Sequence, residues 1–219
     1  MGKKLLMITH NYPLNHGDTA FISTEIEYLC EKFDHVILFC TSVDDGTAVK
    51  VPNNCKVYFL NRSGRFSRFI KATCSRYFEE GILYLTEEIQ DIRGRKKDYY
   101  LFSDMIHFFL RALTYCLEIN NIINIEGKPD VVYSFWSDAE VLASIITNKN
   151  IPVCARIHGY DLYEERRKSL YQPFKKVIDR RINTVFFISN QGMEYYKSKF
   201  ATGMNARCEQ GFWLVYRGT

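Results

Sequence analysis

Read as a bare sequence, the 219 residues predict an α/β fold in which one parallel sheet is flanked by helices. Three observations carry this. Short apolar runs recur along the chain, among them Leu5-Leu6-Met7-Ile8, Val36-Ile37-Leu38-Phe39, Val131-Val132-Tyr133 and Val185-Phe186-Phe187. They are continuous and do not alternate with polar residues, so they suit strands covered on both faces. Amphipathic helical patterns lie between them across short joints, the rhythm of strand–helix–strand units.

Taken in order, the first strand is expected at Lys4–Thr9, ended by His10-Asn11-Tyr12-Pro13 and the loop Leu14-Asn15-His16-Gly17-Asp18. A helix follows with Ile22, Ile26, Leu29, Cys30 and Phe33 on one face and Asp18 or Thr19 as its cap. Residues 35–41 make a second buried strand, Asp44-Asp45-Gly46 a turn, and residues 56–60 a shorter third strand. Residues 62–127 read as a helical insertion. It opens on a basic–aromatic block at 62–78, with Arg62, Arg65, Phe66, Arg68, Phe69, Lys71, Arg76, Tyr77 and Phe78. A helix over 81–92 follows, then R-G-R-K-K, then an aromatic helix over 103–119 that carries Arg111 inside it. The sheet resumes at 131–135, and Ser137-Asp138 caps a helix whose buried face is Ala139, Leu142, Ile145 and Ile146. The strand at 153–157, entered through Pro152 and interrupted only by Arg156, stops at His158-Gly159. A helix around 171–181, a strand at 183–188 and a last helix over 193–200 complete the pattern. One domain is expected over 1–203. The tail at 204–219 is expected to be irregular and reads as truncated or frame-shifted, since Phe212, Trp213, Leu214 and Val215 have no periodic partner.

Composition narrows the function classes. With 47% hydrophobic and 25% charged residues the chain has enough apolar material for a core. A net charge of +4 is too small to imply nucleic acid. The seven cysteines are scattered, with no C-x-x-C and no cysteine–histidine cluster, so neither a zinc site nor a disulfide framework is indicated, and free thiols in a reducing cytoplasm are the default. Lys3-Lys4 and the apolar run after it are too short for a signal peptide or a membrane span.

In open parallel sheets ligands gather beyond the carboxyl ends of strands, so the candidate side chains are those that follow each apolar run. His158 stands at such an end, where an imidazole can donate a hydrogen bond to a hydroxyl or to a developing charge. Asp161 either orients it, binds a substrate, or caps a turn. Gly17, between His16 and Asp18, lets backbone approach a ligand, and the helix N-terminus after it favours an anion such as a diphosphate; a plain turn fits the same residues. Asp138 and Ser189-Asn190 are placed at two further strand ends by position alone. The block at 62–78 fits nucleic acid, an anionic membrane surface, or a helix with a solvated basic face, and no nucleic-acid motif supports the first.

R-I-H-G-Y-D-L-Y at 156–163, followed by L-Y-Q-P-F at 170–174, resembles the segment with the active-site histidine in the N-terminal, acceptor-binding domain of family 4 glycosyltransferases of the GT-B type. The first loop is similar too, with His16-Gly17 where that family often has Gly-Gly, then Phe21-Ile22 and Glu25. The resemblance covers about residues 3–200. It implies a Rossmann-like domain forming one half of a GT-B fold, with His158 beside the transferred sugar and His16, Gly17, Asp18, Asp138, Asp161, Ser189 and Asn190 lining the substrate cleft. It implies retaining transfer from a nucleotide sugar to a glycan or lipid-linked acceptor, without a metal or a further cofactor. It also implies a cytoplasmic protein, peripheral at the inner face of a membrane through residues 62–78, with no nucleic-acid partner. A second Rossmann-like domain carrying Glu-x7-Glu would hold the donor. That spacing occurs at Glu79/Glu87, Glu80/Glu88 and Glu118/Glu126, all in expected helices ahead of the His158 strand and without Gly/Pro-rich surroundings. The chain by itself is therefore expected to be inactive. The rival from another class is a non-catalytic α/β binding or interaction module.

Overall fold

The structure, a computed structural model, describes residues 2–43, 46–61, 70–71, 73–95 and 98–202, together with the backbone of 207–209. Among the described residues there are seven strands: β1 (Lys4–Thr9), β2 (His35–Cys40), β3 (Cys55–Phe59), β4 (Val131–Ser134), β5 (Val153–Ile157), β6 (Thr184–Phe187) and β7 (Arg207–Glu209). They form one parallel sheet in the order β3-β2-β1-β4-β5-β6-β7. This is the Rossmann-like α/β class expected from the sequence. β1 lies between β2 and β4, with Leu5 opposite Val36 on one side and Val131 on the other.

Two apolar layers explain why the strands are continuous apolar runs. Leu5 and Met7 point into one core with Ile22 and Ile26 of α1 (Thr19–Lys32). Leu6 and Ile8 point into the other, which is built by α2 (Arg76–Asp91), α3 (Tyr99–Glu126) and α4 (Ala139–Thr147). α3 buries Leu101, Met105, Phe108, Ala112, Cys116 and Ile119, a stripe at helical spacing. Its first turn is capped by Asp98, whose carboxylate accepts from the Leu101 amide at 3.0 Å. Its last residue, Glu126, meets His35 at 3.1 Å and Lys56 at 2.5 Å, which ties the insertion to the amino edge of the sheet.

The helices differ from expectation mainly at their ends. α2 starts five residues before the expected 81 because Tyr77 is buried and Phe78 packs on Phe109, so the end of the basic–aromatic block belongs to the core. Arg62, Arg65, Phe66, Arg68 and Phe69 lie outside the described residues. The helix expected over 171–181 shrinks to α6 (Lys175–Asp179), preceded by α5 (Gly159–Leu162) and a 3-10 turn at Glu164–Arg166. Phe174 causes this: its φ of +59° is left-handed, which costs about 1–2 kcal/mol in a residue with a Cβ. Its fully buried ring stacks on Phe108 at 5.2 Å and Phe109 at 6.1 Å, and such pairs contribute about 0.5–1.5 kcal/mol each. The final helix, α7 (Asn190–Lys199), begins at Asn190 instead of 193 because Ser189 caps it, accepting from the Gly192 amide at 3.1 Å. In the tail read as irregular, β7 adds to β6; residues 210–219 lie outside the described residues.

Candidate functional site

The chain leaves β1 for β2 on one side and later returns to β4 on the other, so a topological switch point lies between β1 and β4. Crevices open beyond the carboxyl ends of strands at such points. The loop from β1 to α1 forms the first wall. Gly17 has a φ of +61°, which favours glycine, and a Cβ there would sit 2.4 Å from Asn11 Nδ2 and push that side chain aside. His16 is exposed and lies toward Gly46. Asp18 occupies the N-cap position of α1 without making the cap bond. Its Oδ2 instead accepts from Trp136 Nε1 at 3.1 Å and from the Asn11 amide at 3.3 Å.

Trp136 carries the argument across to the second wall. Its indole lies 4.3 Å from the His158 ring, centroid to centroid, and Phe135 lies 4.9 Å from the same ring. Behind them Arg156 sits over Phe135 at 4.8 Å and pairs with Glu25 of α1 at 2.9 Å. This pair explains the one charge in the β5 run: its partner is a buried carboxylate on the helix that covers this face. Burial, with the Arg156 charge second, lowers the His158 pKa to about 3. The ring is therefore neutral at physiological pH, a donor at one nitrogen and an acceptor at the other. Nδ1 is sealed from solvent, and the side chain faces the Asp161 amide in a capping box. The arrangement suits a fixed, neutral hydrogen-bonding group beside a ligand.

Asp161 is 2% exposed and points inward. Its Oδ1 accepts from the His158 amide at 2.6 Å and its Oδ2 from the Ser137 amide at 2.7 Å, so it straps the ends of β5 and β4 together and leaves the imidazole to Trp136. Burial raises its carboxyl to about 6 despite the nearby Lys175 ammonium. Lys175, also buried, donates to the Ser137 carbonyl and lies 3.3 Å from Ser137 Oγ. Asp138, at the N-cap of α4, turns its Oδ2 to Arg111 of α3 at 3.2 Å. Ser189 and Asn190 are exposed at the end of β6, one strand beyond His158. His158 and Gly17 thus lie at the same edge of the sheet, as do Asp138, Asp161 and Ser189-Asn190.

No protein-family model matches the chain, and no curated protein matches it by sequence. Among solved structures, a sucrose-phosphate synthase chain from Thermosynechococcus elongatus matches with a TM-score of 0.56 and 12% identity, over 97% of this chain and 91% of that one. A UDP-N-acetylglucosamine 2-epimerase from Rickettsia bellii matches with a TM-score of 0.49 and 14% identity, over 95% of this chain and 44% of that one. An α,α-trehalose 6-phosphate synthase from Burkholderia multivorans matches with a TM-score of 0.46 and 9% identity, over 90% and 42%. The likeness is one of fold. This chain spans less than half the length of the epimerase and of the trehalose 6-phosphate synthase.

Sequence reasoning missed Trp136, Arg111, Glu140 and Lys175. Trp136 directly follows the apolar run of β4, at the strand-end position that singled out His158, and that signal could have found it. The other three sit inside helices and owe their place to partners on other elements. Among the described residues no group of three His, Cys, Asp or Glu side chains could hold a metal ion, and no helix is long and apolar enough to cross a membrane.

Proposed function

We propose that this chain is the acceptor-binding half of a retaining GT-B glycosyltransferase resembling family 4. In this reading a sugar passes from a nucleotide sugar to a glycan or lipid-linked acceptor, and His158 lies beside the transferred sugar. One observation carries it: Gly17-Asp18 and His158, the two places of the family resemblance, meet through Trp136 at the switch point of the sheet. A neutral imidazole seated on an indole can donate one directed hydrogen bond to a sugar hydroxyl, and the N-terminal end of α1 is a favourable place for a diphosphate. Transfer needs a second wall that positions the donor and excludes water, so this chain alone is expected to bind but not to turn over. Peripheral attachment to an anionic membrane through the part of the 62–78 block ahead of the buried Tyr77 belongs to the same proposal and is tested by vesicle co-sedimentation.

Trp136 supplies the readout. In a Trp213→Phe background, its fluorescence should respond saturably to glycosides or lipid-linked glycosides, and His158→Ala should weaken that response. No response to any of them would remove the acceptor-binding reading. Incubation with radiolabelled nucleotide sugars and acceptors should give no transfer above background. Turnover abolished by His158→Ala would show that one such domain, or a dimer of it, builds the whole site.

A further inference from the structure

A strip of exposed aromatic and basic side chains leads away from His158 along the carboxyl edge of the sheet, and the site above does not use it. Tyr160, two residues beyond His158, stands in solvent with the Arg167 guanidinium 5.4 Å from its ring centre. Lys168 follows, its ammonium 6.0 Å from the ring of Tyr100, which lies edge-on to Tyr99 at 5.8 Å. Ser169 joins this segment to α3, donating to Asp104 at 2.5 Å. Tyr99 is 78% exposed, and Phe102 and Ile106 continue its apolar face along the helix. Glu126 holds the other end of α3 at the amino edge, so Tyr99 and Tyr100 come out at the carboxyl edge. Leu170 completes the strip. Its φ of +49° is left-handed, as that of Phe174 is, but its side chain is 61% exposed, whereas Phe174 is buried among rings. The fold gains little from packing Leu170 in return for that backbone. Arg95 donates to the Leu170 carbonyl at 3.2 Å and fixes the outward placing.

We propose that this strip docks on an anionic lipid bilayer, through a surface separate from the 62–78 block and independently of the transfer reaction proposed above. Charge points to an anionic partner. The carboxylates of the region are already engaged: Asp98 caps α3, Asp104 takes Ser169, Glu164 pairs with Arg95 at 2.6 Å, and Glu165 accepts from Tyr195 at 2.9 Å. Arg93, Arg166 and Lys168 are exposed, and neither they nor Arg167 form an ion pair with a carboxylate among the described residues. Lipid phosphates attract such cations, each contributing roughly a fivefold gain in binding at an anionic surface. Tyrosine rings and aliphatic side chains settle at the boundary between head groups and acyl chains. Leu170 and Ile106 favour lipid over a soluble polyanion, which gives an exposed aliphatic side chain nothing to enter. The strip begins beside His158, so docking sets the mouth of the cleft against the lipid surface.

Co-sedimentation of the full chain tests this, with vesicles of phosphatidylcholine alone and of equal parts phosphatidylcholine and phosphatidylglycerol. The chain should bind the anionic vesicles, bind the neutral ones far less, and come off as salt rises. The triple variant Arg93→Gln, Arg166→Gln, Lys168→Gln should weaken binding about a hundredfold. Leu170→Gly should weaken it about fivefold while the melting temperature holds or rises, because glycine adopts the left-handed backbone freely. That separates a lost contact from a damaged fold. The inference is overturned if the chain ignores anionic vesicles, if it binds neutral ones equally, or if the triple variant and Leu170→Gly bind as wild type. Binding lost in Arg65→Glu, Arg68→Glu but kept in the triple variant would also overturn it, and would leave the contact proposed for the 62–78 block standing. The converse would support it against that block. A chain that leaves vesicles unbound but sediments as a dimer loosened by Leu170→Gly would assign the strip to a second copy and overturn the inference. None of these outcomes touches the fluorescence response to glycosides, so the two readings fail separately.

Discussion

On the α1 face of the β4 terminus the polar groups are separated by rings, whereas on the α3 face they touch one another. The first face has one buried ion pair, Glu25–Arg156, closed over by Phe135, with the His158 and Trp136 rings tilted against each other beside it. The second joins Arg111, Asp138, Glu140, Asp161 and Lys175 through shared charges and backbone amides. The contrast teaches how each face should respond to change. An ion pair in an apolar layer leans on few neighbours, here the Tyr133 hydroxyl beside Glu25, so removing one member leaves the other poorly compensated. A connected cluster spreads the loss over several partners.

The largest expected effect follows from that. Arg156→Met strands Glu25 in the apolar layer and should destabilise by about 3–5 kcal/mol in urea unfolding at neutral pH. Glu25→Leu added to it should recover most of the loss. A double variant no better than the single one would show that the pair is not an isolated unit. Asp161→Asn, on the other face, should cost about 2–3 kcal/mol, since an amide has only one oxygen to offer the two backbone donors. A cost equal to that of Arg156→Met would erase the distinction between the faces.

His158 on one face and Glu140 and Asp161 on the other should also titrate in opposite senses. His158 has a folded pKa of about 3 against an ordinary 6.5, so between those values the unfolded chain holds a proton that the folded chain lacks. Its contribution is present above the ordinary value and is lost as pH falls toward the folded one. Glu140, at about 7 against 4.5, and Asp161, at about 6 against 3.8, do the reverse: the folded chain holds the extra proton, and stability falls as pH rises through those windows. His158→Gln should flatten the acid limb of a stability–pH curve, and Glu140→Gln should flatten the limb just below neutrality. A variant of either residue that flattens the other's limb would break the assignment. The smallest effect is Trp136→Phe, which keeps an aromatic ring against His158 but removes the donor to Asp18 and should cost about 1 kcal/mol.

The sequence made one of these faces far easier to read than the other. Each of the first six strands was legible because a continuous apolar run needs no knowledge of its partners, and His158 and Gly17 were legible because each directly follows such a run. The role of Arg111 was not, because the Asp138 and Glu140 it meets lie beyond the next strand, and periodicity within α3 cannot show a partner on another element. The start of α2 was obscured because Tyr77 and Phe78 sit in a run of arginines that reads as a surface, and only packing against α3 reveals that they face inward. The shortness of α6 came from the left-handed backbone of Phe174, a cost that only its stacking partners justify.

The central place of β1 has a consequence for how the protein is made. Asp18 and Trp136 are 118 positions apart, and the Lys4 amide reaches an acceptor 126 positions downstream, in Asp130. As the chain leaves the ribosome, β1, β2 and β3 can pair at once, but the other side of β1 stays an open edge until β4 emerges. The roughly 70 residues between Phe59 and Val131 take on the order of several seconds to synthesise. For that time an apolar strand offers unpaired amides and carbonyls to any neighbouring chain. The strand that later joins the two walls of the cleft is thus the one most open to mispairing during translation.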